Sequence, residues 1–111
     1  MSFALTADQV RAQSKTVTRR RGWTFAQVGD VVQPVVKAHG LKRGERVERL
    51  GPPIEITSVR REGLEAGMTW TECQLEGFPT LSPAAFVTMF VDHNGGPRHQ
   101  VVTRIAFRYL E

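Results

Sequence analysis

The segment from His99 to Tyr109 constrains the fold most, because it reads as a long strand whose alternate side chains form a more apolar and a more polar face. Successive side chains of a strand point to opposite faces of a sheet. One predicted face carries Val101, Thr103, Ile105, Phe107 and Tyr109. The other carries Gln100, Val102, Arg104, Ala106 and Arg108. We expect this second face, which holds two arginines, to be the wetter one.

Further strands are predicted on either side of the chain's midpoint. A turn at Gly29-Asp30 precedes an apolar run at 31–37, and Pro-Pro precedes another at 54–60. Pro34 has no N–H to donate, so the first of these strands should lie at a sheet edge or bulge.

Helix signals lie between the strands. Ser82 and Pro83 form an N-cap and first-turn pair ahead of an apolar stripe that ends at Asn94. Thr6 and Gln9 have the spacing of a capping box, which predicts a helix to about Ser14 after a brief strand at Ser2–Leu5. A shorter helix is expected at 71–75. This pattern predicts one domain, residues 1–111, of the α+β or mostly-β class around a small curved sheet or barrel.

Composition sets the chain's expected surroundings. The net charge is +4, but residues 1–50 hold 10 basic against 4 acidic residues, and residues 51–111 hold 5 against 7. This asymmetry fits a basic face for nucleic acid or an ordinary solvated arginine-rich surface. Cys73 is the single cysteine, expected to be buried and inert, and the N-terminus has no signal-peptide pattern. These features predict a cytoplasmic protein that does not enter a membrane.

The basic segment 15–21 is the candidate functional feature. It places four cations and two threonines in seven residues, with Trp23 close behind. Such a cluster suits an anionic partner, RNA or a nucleotide, and a threonine beside a lysine suits nucleophilic catalysis. Trp23 is either a base-stacking residue or a core residue. The predicted binding residues are Lys15, Thr16, Thr18, Arg19, Arg20, Arg21, Trp23, Lys42 and Arg43.

The chain resembles the ASCH domain, a branch of the PUA-like superfamily. The resemblance lies in Lys15-Thr16-Val17-Thr18-Arg19-Arg20, in Gly22-Trp23 and in Gly29-Asp30 ahead of an apolar strand. The run from Glu76 to Pro83 also resembles small phage-related members. The resemblance implies a PUA-like β-barrel with two or three helices at its rim and a cleft into which the Lys-Thr segment projects.

The same resemblance implies two activities. ASCH domains are generally proposed to bind RNA, and some small bacterial members are amidohydrolases that deacetylate acetylcytidine with a Lys, a Thr three residues later and a distant Glu. The first two fall on Lys15 and Thr18. The late helix has no acid at its start, so the carboxylate candidates upstream are Glu76 and Glu72, and we assign the role to Glu76.

Three functions stay open at this stage: a module that binds RNA or a nucleotide, an amidohydrolase with Thr18 as nucleophile and Lys15 as base, and a phage accessory protein that binds a host protein. The three histidines lack metal-ligand spacing, and no phosphate-binding glycine loop is present. We therefore expect neither a metal nor a cofactor.

Overall fold

A four-stranded antiparallel sheet organises the fold, as seen in a computed structural model that describes residues 1–37, 44 and 46–111. The strands are β1 (Val17–Arg20), β2 (Val31–Val32), β3 (Ile54–Gly63) and β4 (Val101–Tyr109). Their order across the sheet is β1-β4-β3-β2, and the sheet curls into a half-barrel. The predicted α+β class is confirmed.

In the described ranges four α-helices accompany the sheet: α1 (Ala7–Arg11), α2 (Leu64–Gly67), α3 (Trp70–Leu75) and α4 (Pro83–Asn94). The predicted start of α4 is confirmed, because the Ser82 hydroxyl accepts a 3.1 Å hydrogen bond from the backbone N–H of Ala85, and Pro83 occupies the first position. In the part of the chain that the structure describes, no helix is long and apolar enough to cross a bilayer.

The prediction of a wet face on β4 is wrong for its first half. Val102 is fully buried and Arg104 is 8% exposed, whereas Val101 on the opposite face is 54% exposed. The reason is that helices cover the Val102 face, where Leu64 and Phe90 complete a core cluster. Arg104 is tolerated there because Glu72 of α3 accepts hydrogen bonds from its guanidinium.

The opposite face of the sheet is covered by the N-terminal segment and by residues near the chain's middle. Phe3 and Val10 pack with Ile54 of β3 and Phe107 of β4. The pairing of β3 with β4 shifts register between Ile56 and Ser58, so the simple alternation predicted along β3 holds only up to that irregularity.

The N-terminal predictions need correction. Residues 4–6 form a 3₁₀ turn, and Ser2 makes only an isolated bridge with Val35, so no strand forms at 2–5. Thr6 does precede α1, but its hydroxyl caps no N–H, and the predicted capping box is wrong. The Gln9 amide instead donates to the carbonyl of Gly77, 3.2 Å away, because α1 packs against the end of α3.

The predicted strand at 31–37 is shorter than expected. Regular pairing stops at Val32, two residues before Pro34, which cannot donate to a ladder. The prediction that this strand lies at an edge or bulge is confirmed, since β2 is the last strand of the sheet.

Candidate active site

A cavity of about 170 Å³ lies beside the edge strand β1, between the N-terminal turn and α4. One part of its wall is apolar: Phe3, Leu5, Phe78, Phe86, Met89 and Phe90. The polar part holds Lys15, Thr18, Arg19, Arg20, Glu76 and His93. A cavity needs about 10–15 Å³ to hold one water, so this cavity has room for a small organic group.

Lys15 and Glu76 form a buried ion pair in this wall. The Lys15 Nζ lies 2.7 Å from the Glu76 Oε1, and both side chains are 3% exposed. The same ammonium donates a 2.9 Å hydrogen bond to the Glu76 backbone carbonyl. The backbone of Lys15 is fixed as well, since its carbonyl accepts a 2.6 Å hydrogen bond from the Tyr109 hydroxyl. The amine is therefore held at one place.

The end of α3 explains why Glu76 is available to Lys15. The N–H of Gly77 bonds the Gln74 carbonyl, and the N–H of Phe78 bonds the Cys73 carbonyl, which is the Schellman pattern. Gly77 adopts φ +95°, a left-handed conformation that favours glycine. This turn leaves the carbonyl of Glu76 without a helical partner, and Lys15 supplies one while adding positive charge at the helix C-terminus.

Burial lowers the pKa of Lys15 below its ordinary value, because removing the ammonium from water disfavours its charge. The Glu76 carboxylate works in the opposite direction, and Arg20 and Arg19 reinforce the lowering. The net direction is downward. A lysine of lowered pKa carries a larger fraction of neutral amine, which is the form that accepts a proton.

Thr18 lies on the same cavity wall, in the middle of β1, and is buried. Its hydroxyl accepts a 3.2 Å hydrogen bond from the Arg20 Nε. The Arg20 guanidinium also lies 4.8 Å from the centre of the Phe3 ring, a cation–π contact. Burial lowers the pKa of Arg20 to about 10, so this side chain remains positive beside the threonine at neutral pH.

Arg19 is placed differently from the other arginines of the segment. Its side chain is fully buried, and its Nη1 donates a 3.0 Å hydrogen bond to Glu76 Oε2. Its Nη2 contacts Glu72 and Glu62. Burial lowers the pKa of Arg19, but Glu76 and Glu72 outweigh burial, and the net pKa is raised. Three carboxylates thus occupy the guanidinium, and a phosphate would have to displace them.

The remaining predicted binding residues are not gathered at the cavity. Thr16 is half-buried, and its backbone bonds those of Leu75 and Phe107. Arg21 is exposed and donates to the Asn94 carbonyl. Trp23 is half-buried against the core cluster of Ala26, Ile56 and Ile105. Lys42 and Arg43 lie outside the described residues.

Sequence reasoning missed several members of the site. Arg104 and Glu62 complete the ion cluster around Arg19, and His93 reaches the cavity from α4. The sequence pattern of β4 predicts Arg104 on the wetter face, so it gives no sign of the contact with Glu72. The other carboxylate candidate, Glu72, pairs with Arg19 and Arg104. Within the described residues no group of three His, Cys, Asp or Glu side chains suits a metal ion.

In comparisons with known proteins, no protein-family profile, curated sequence or solved structure matches the chain.

Proposed function

We propose that this protein is a small amidohydrolase that removes an acyl group from an acylated pyrimidine nucleoside such as acetylcytidine. The observation that carries the proposal is the Lys15–Glu76 pair at 2.7 Å, which shares a cavity wall with Thr18. The proposal includes the ASCH-like character of the chain and the PUA-like barrel that this resemblance implies. The curled four-stranded sheet with helices at its side is compatible with that architecture.

In the proposed reaction the neutral amine of Lys15 takes the proton of the Thr18 hydroxyl, and the Thr18 Oγ1 forms a bond to the acyl carbon. The ammonium then returns the proton to the leaving nitrogen as the C–N bond breaks. A water next attacks the threonine ester with Lys15 again as base, which releases the acid and restores the hydroxyl. Atoms and protons balance over the cycle.

The surrounding residues suit these steps. Glu76 orients the amine through its carboxylate and its backbone carbonyl. Arg20 lines the same cavity and donates a hydrogen bond to the threonine oxygen. Its positive charge suits it to stabilise the negative charge that develops on the acyl oxygen. The phenylalanine-rich part of the wall offers an apolar surface against which a planar base would pack.

The direct test is to incubate the protein with acetylcytidine and to separate the products chromatographically. We expect cytidine to appear with the unmodified protein and to be lost with Thr18→Ala or Lys15→Ala. Thr71→Ala is the matched control, because this exposed threonine of α3 lies outside the cavity wall and should leave turnover unchanged. No cytidine from the unmodified protein across several acylated nucleosides would end the proposal.

The pH dependence provides a second test. Only the neutral amine is a base, so kcat/KM should rise with pH through the pKa of Lys15 and fall as the pH drops below it. An acyl group found on Thr18 by mass spectrometry after rapid quenching would identify the nucleophile. An acyl group on another residue would contradict the assignment.

Binding of RNA or a nucleotide is the second candidate function. Arg21 and Phe25 favour it: Arg21 is exposed next to the cavity-lining Asn94, and Phe25 is 69% exposed and packs against Trp23, two residues before it. An exposed aromatic four residues from an exposed cation in the sequence is a combination that suits a stacked base and its phosphate. If this function is right, Arg21→Ala should weaken binding to a mixed RNA pool and make the salt dependence shallower. Equal binding by both proteins at low salt would count against it.

A further inference from the structure

Arginines line up across three neighbouring strands behind the cavity. Arg19 of β1 lies opposite Arg104 of β4, and Arg104 lies opposite Arg60 of β3. Like charges at directly opposite positions destabilise a sheet. This row therefore requires carboxylates between its members, and Glu62 and Glu72 provide them.

The carboxylates connect this row to the candidate catalytic amine. Glu76 is divided, with Oε1 on Lys15 at 2.7 Å and Oε2 on Arg19 at 3.0 Å. Arg19 is in turn held by Glu72. Glu72 accepts hydrogen bonds from Arg104 through both of its oxygens, at 2.6 and 3.2 Å. An unbroken series of charge contacts thus runs from Arg104 to Lys15.

The orientation of Arg19 is set by this series. Its two terminal nitrogens are taken up by carboxylates, while its Nε is buried without a hydrogen-bond partner, the one such side-chain nitrogen or oxygen among the residues that the structure describes. Unpaired buried donors are uncommon in folded proteins. The guanidinium is therefore oriented so that its terminal nitrogens contact Glu76 and Glu72, and this orientation leaves Nε without a hydrogen bond.

We propose that Arg19, Glu72 and Arg104 are positioning residues that divide the Glu76 carboxylate between Arg19 and Lys15. Glu72 draws the Arg19 guanidinium away from Glu76, and Arg104 limits that pull by sharing Glu72. The proposal rests on the proposed function only where it gives the Lys15 amine a task in catalysis. The division of the carboxylate is a property of the protein alone.

Two substitutions that change neither Lys15 nor Glu76 should shift the pKa of the Lys15 amine in opposite directions. In Glu72→Gln a negative charge is lost and Arg19 turns more fully to Glu76, so the Lys15 pKa should fall further. In Arg104→Gln a positive charge is lost and Glu72, no longer shared with Arg104, holds Arg19 more strongly, so Glu76 is freer for Lys15 and the pKa of Lys15 should rise. Arg104→Lys, which keeps the charge, should remain nearer the unmodified protein than Arg104→Gln.

Other ionisable groups near Lys15 enter the interpretation. Arg20 lies on β1, His93 lines the cavity from α4, and Cys73 lies on α3, three residues before Glu76. Tyr109 donates to the Lys15 carbonyl, and burial raises its pKa to about 12, so it stays protonated through most of the titration. These groups are the same in each variant, so the comparison between variants isolates the ion series.

The chain makes the measurement direct, because it contains only three lysines, Lys15, Lys37 and Lys42. Protein labelled with ¹³C and ¹⁵N in lysine alone gives three side-chain signals, and the Lys15 signal is assigned by its absence in Lys15→Met. The pH titration of that signal reports the amine without any substrate. Arg108→Gln is the matched control, since it removes an exposed arginine from the same strand as Arg104.

The expected result is a downward displacement of the Lys15 titration in Glu72→Gln, an upward one in Arg104→Gln and none in Arg108→Gln. Loosening of the fold would instead raise the Lys15 pKa in both variants, toward that of an exposed lysine. A raised pKa in both variants would overturn the proposal. Unchanged titration in both would overturn it equally. If no acylated nucleoside is turned over, the proposed function fails while these displacements remain; if turnover occurs without them, only the positioning role fails.

Discussion

Two ion pairs of nearly equal length lie at opposite extremes of exposure in this protein. The Lys15–Glu76 pair measures 2.7 Å, with both side chains 3% exposed, and the Arg108–Glu55 pair measures 2.6 Å, with the side chains 63% and 28% exposed. Both join segments that are far apart in the chain. Distance alone would rank them as equals, but their surroundings make them energetically unlike.

The difference lies in what remains when one partner is removed. At the surface, water solvates the surviving charge, and exposed pairs contribute about 0.2–1 kcal/mol. In the interior the survivor keeps its desolvation penalty without compensation, and breaking such a pair costs about 3–5 kcal/mol. Loss of either partner of the buried pair should therefore destabilise the fold far more than loss of either partner of the exposed pair.

The largest effect should come from Glu76→Gln. This change leaves Lys15 and Arg19 buried beside a neutral amide, and we expect the free energy of unfolding to fall by about 3–5 kcal/mol. Urea denaturation followed by circular dichroism measures it. A loss below about 1 kcal/mol would place the buried pair in the same class as surface pairs and contradict the comparison.

Gly77→Ala should cost about 2 kcal/mol, because a left-handed residue gains a side chain and the added Cβ would lie 2.9 Å from the Gln9 Cγ. Gly51→Ala is its control, since Gly51 has φ +108° but no atom within 4 Å of an added Cβ. The difference between the two variants isolates the contact of α1 with the end of α3. Equal losses would show that backbone strain alone decides the effect.

Acid should weaken the buried cluster through Glu72. Burial raises the pKa of this carboxyl, but hydrogen bonds from Arg104 and Arg19 outweigh burial and hold it at about 2. Since the folded pKa is below the ordinary value of 4.5, the stability that Glu72 contributes is present above pH 4.5 and is lost as the pH falls toward 2. We expect a loss of about 1 kcal/mol from this group, because partial solvent contact screens its pairs. Denaturation curves between pH 6 and pH 3 should show a smaller loss in Glu72→Gln than in the unmodified protein; parallel losses would contradict this assignment.

The smallest effect should be that of Arg108→Gln, at most about 0.5 kcal/mol, and added salt should reduce it further. Its thermal unfolding should nearly coincide with that of the unmodified protein in 0.5 M NaCl. A loss comparable with that of Glu76→Gln would mean that burial does not separate the two pairs.

Local signals predicted much of the fold but little of the cluster. Ser82-Pro83 located α4 because cap and first-turn chemistry act within a few residues. Alternation located β4 but misjudged one of its faces, since a strand's own pattern does not reveal which helices will cover it. The motif at 15–20 singled out Lys15 and Thr18. The partners of Arg19, from β3, α3 and β4, come from more than forty residues away, and no spacing rule joins them.

Gln9 shows the same limit on a small scale. Its spacing from Thr6 predicted a local cap, but its amide bonds Gly77, far along the chain. A side chain with two possible acceptors takes the one that tertiary packing offers, and that choice is invisible in a short window of sequence.

The sheet order has a consequence for the time course of folding. Strand β1 carries Thr18 and follows closely on Lys15, yet among the described residues its one neighbouring strand is β4, some eighty residues later in the chain. Closing so long a loop is slow compared with forming a helix or a hairpin. During synthesis, β1 cannot pair with β4 until β4 has emerged from the ribosome. Thr18 is thus made well before the strand that pairs with its own.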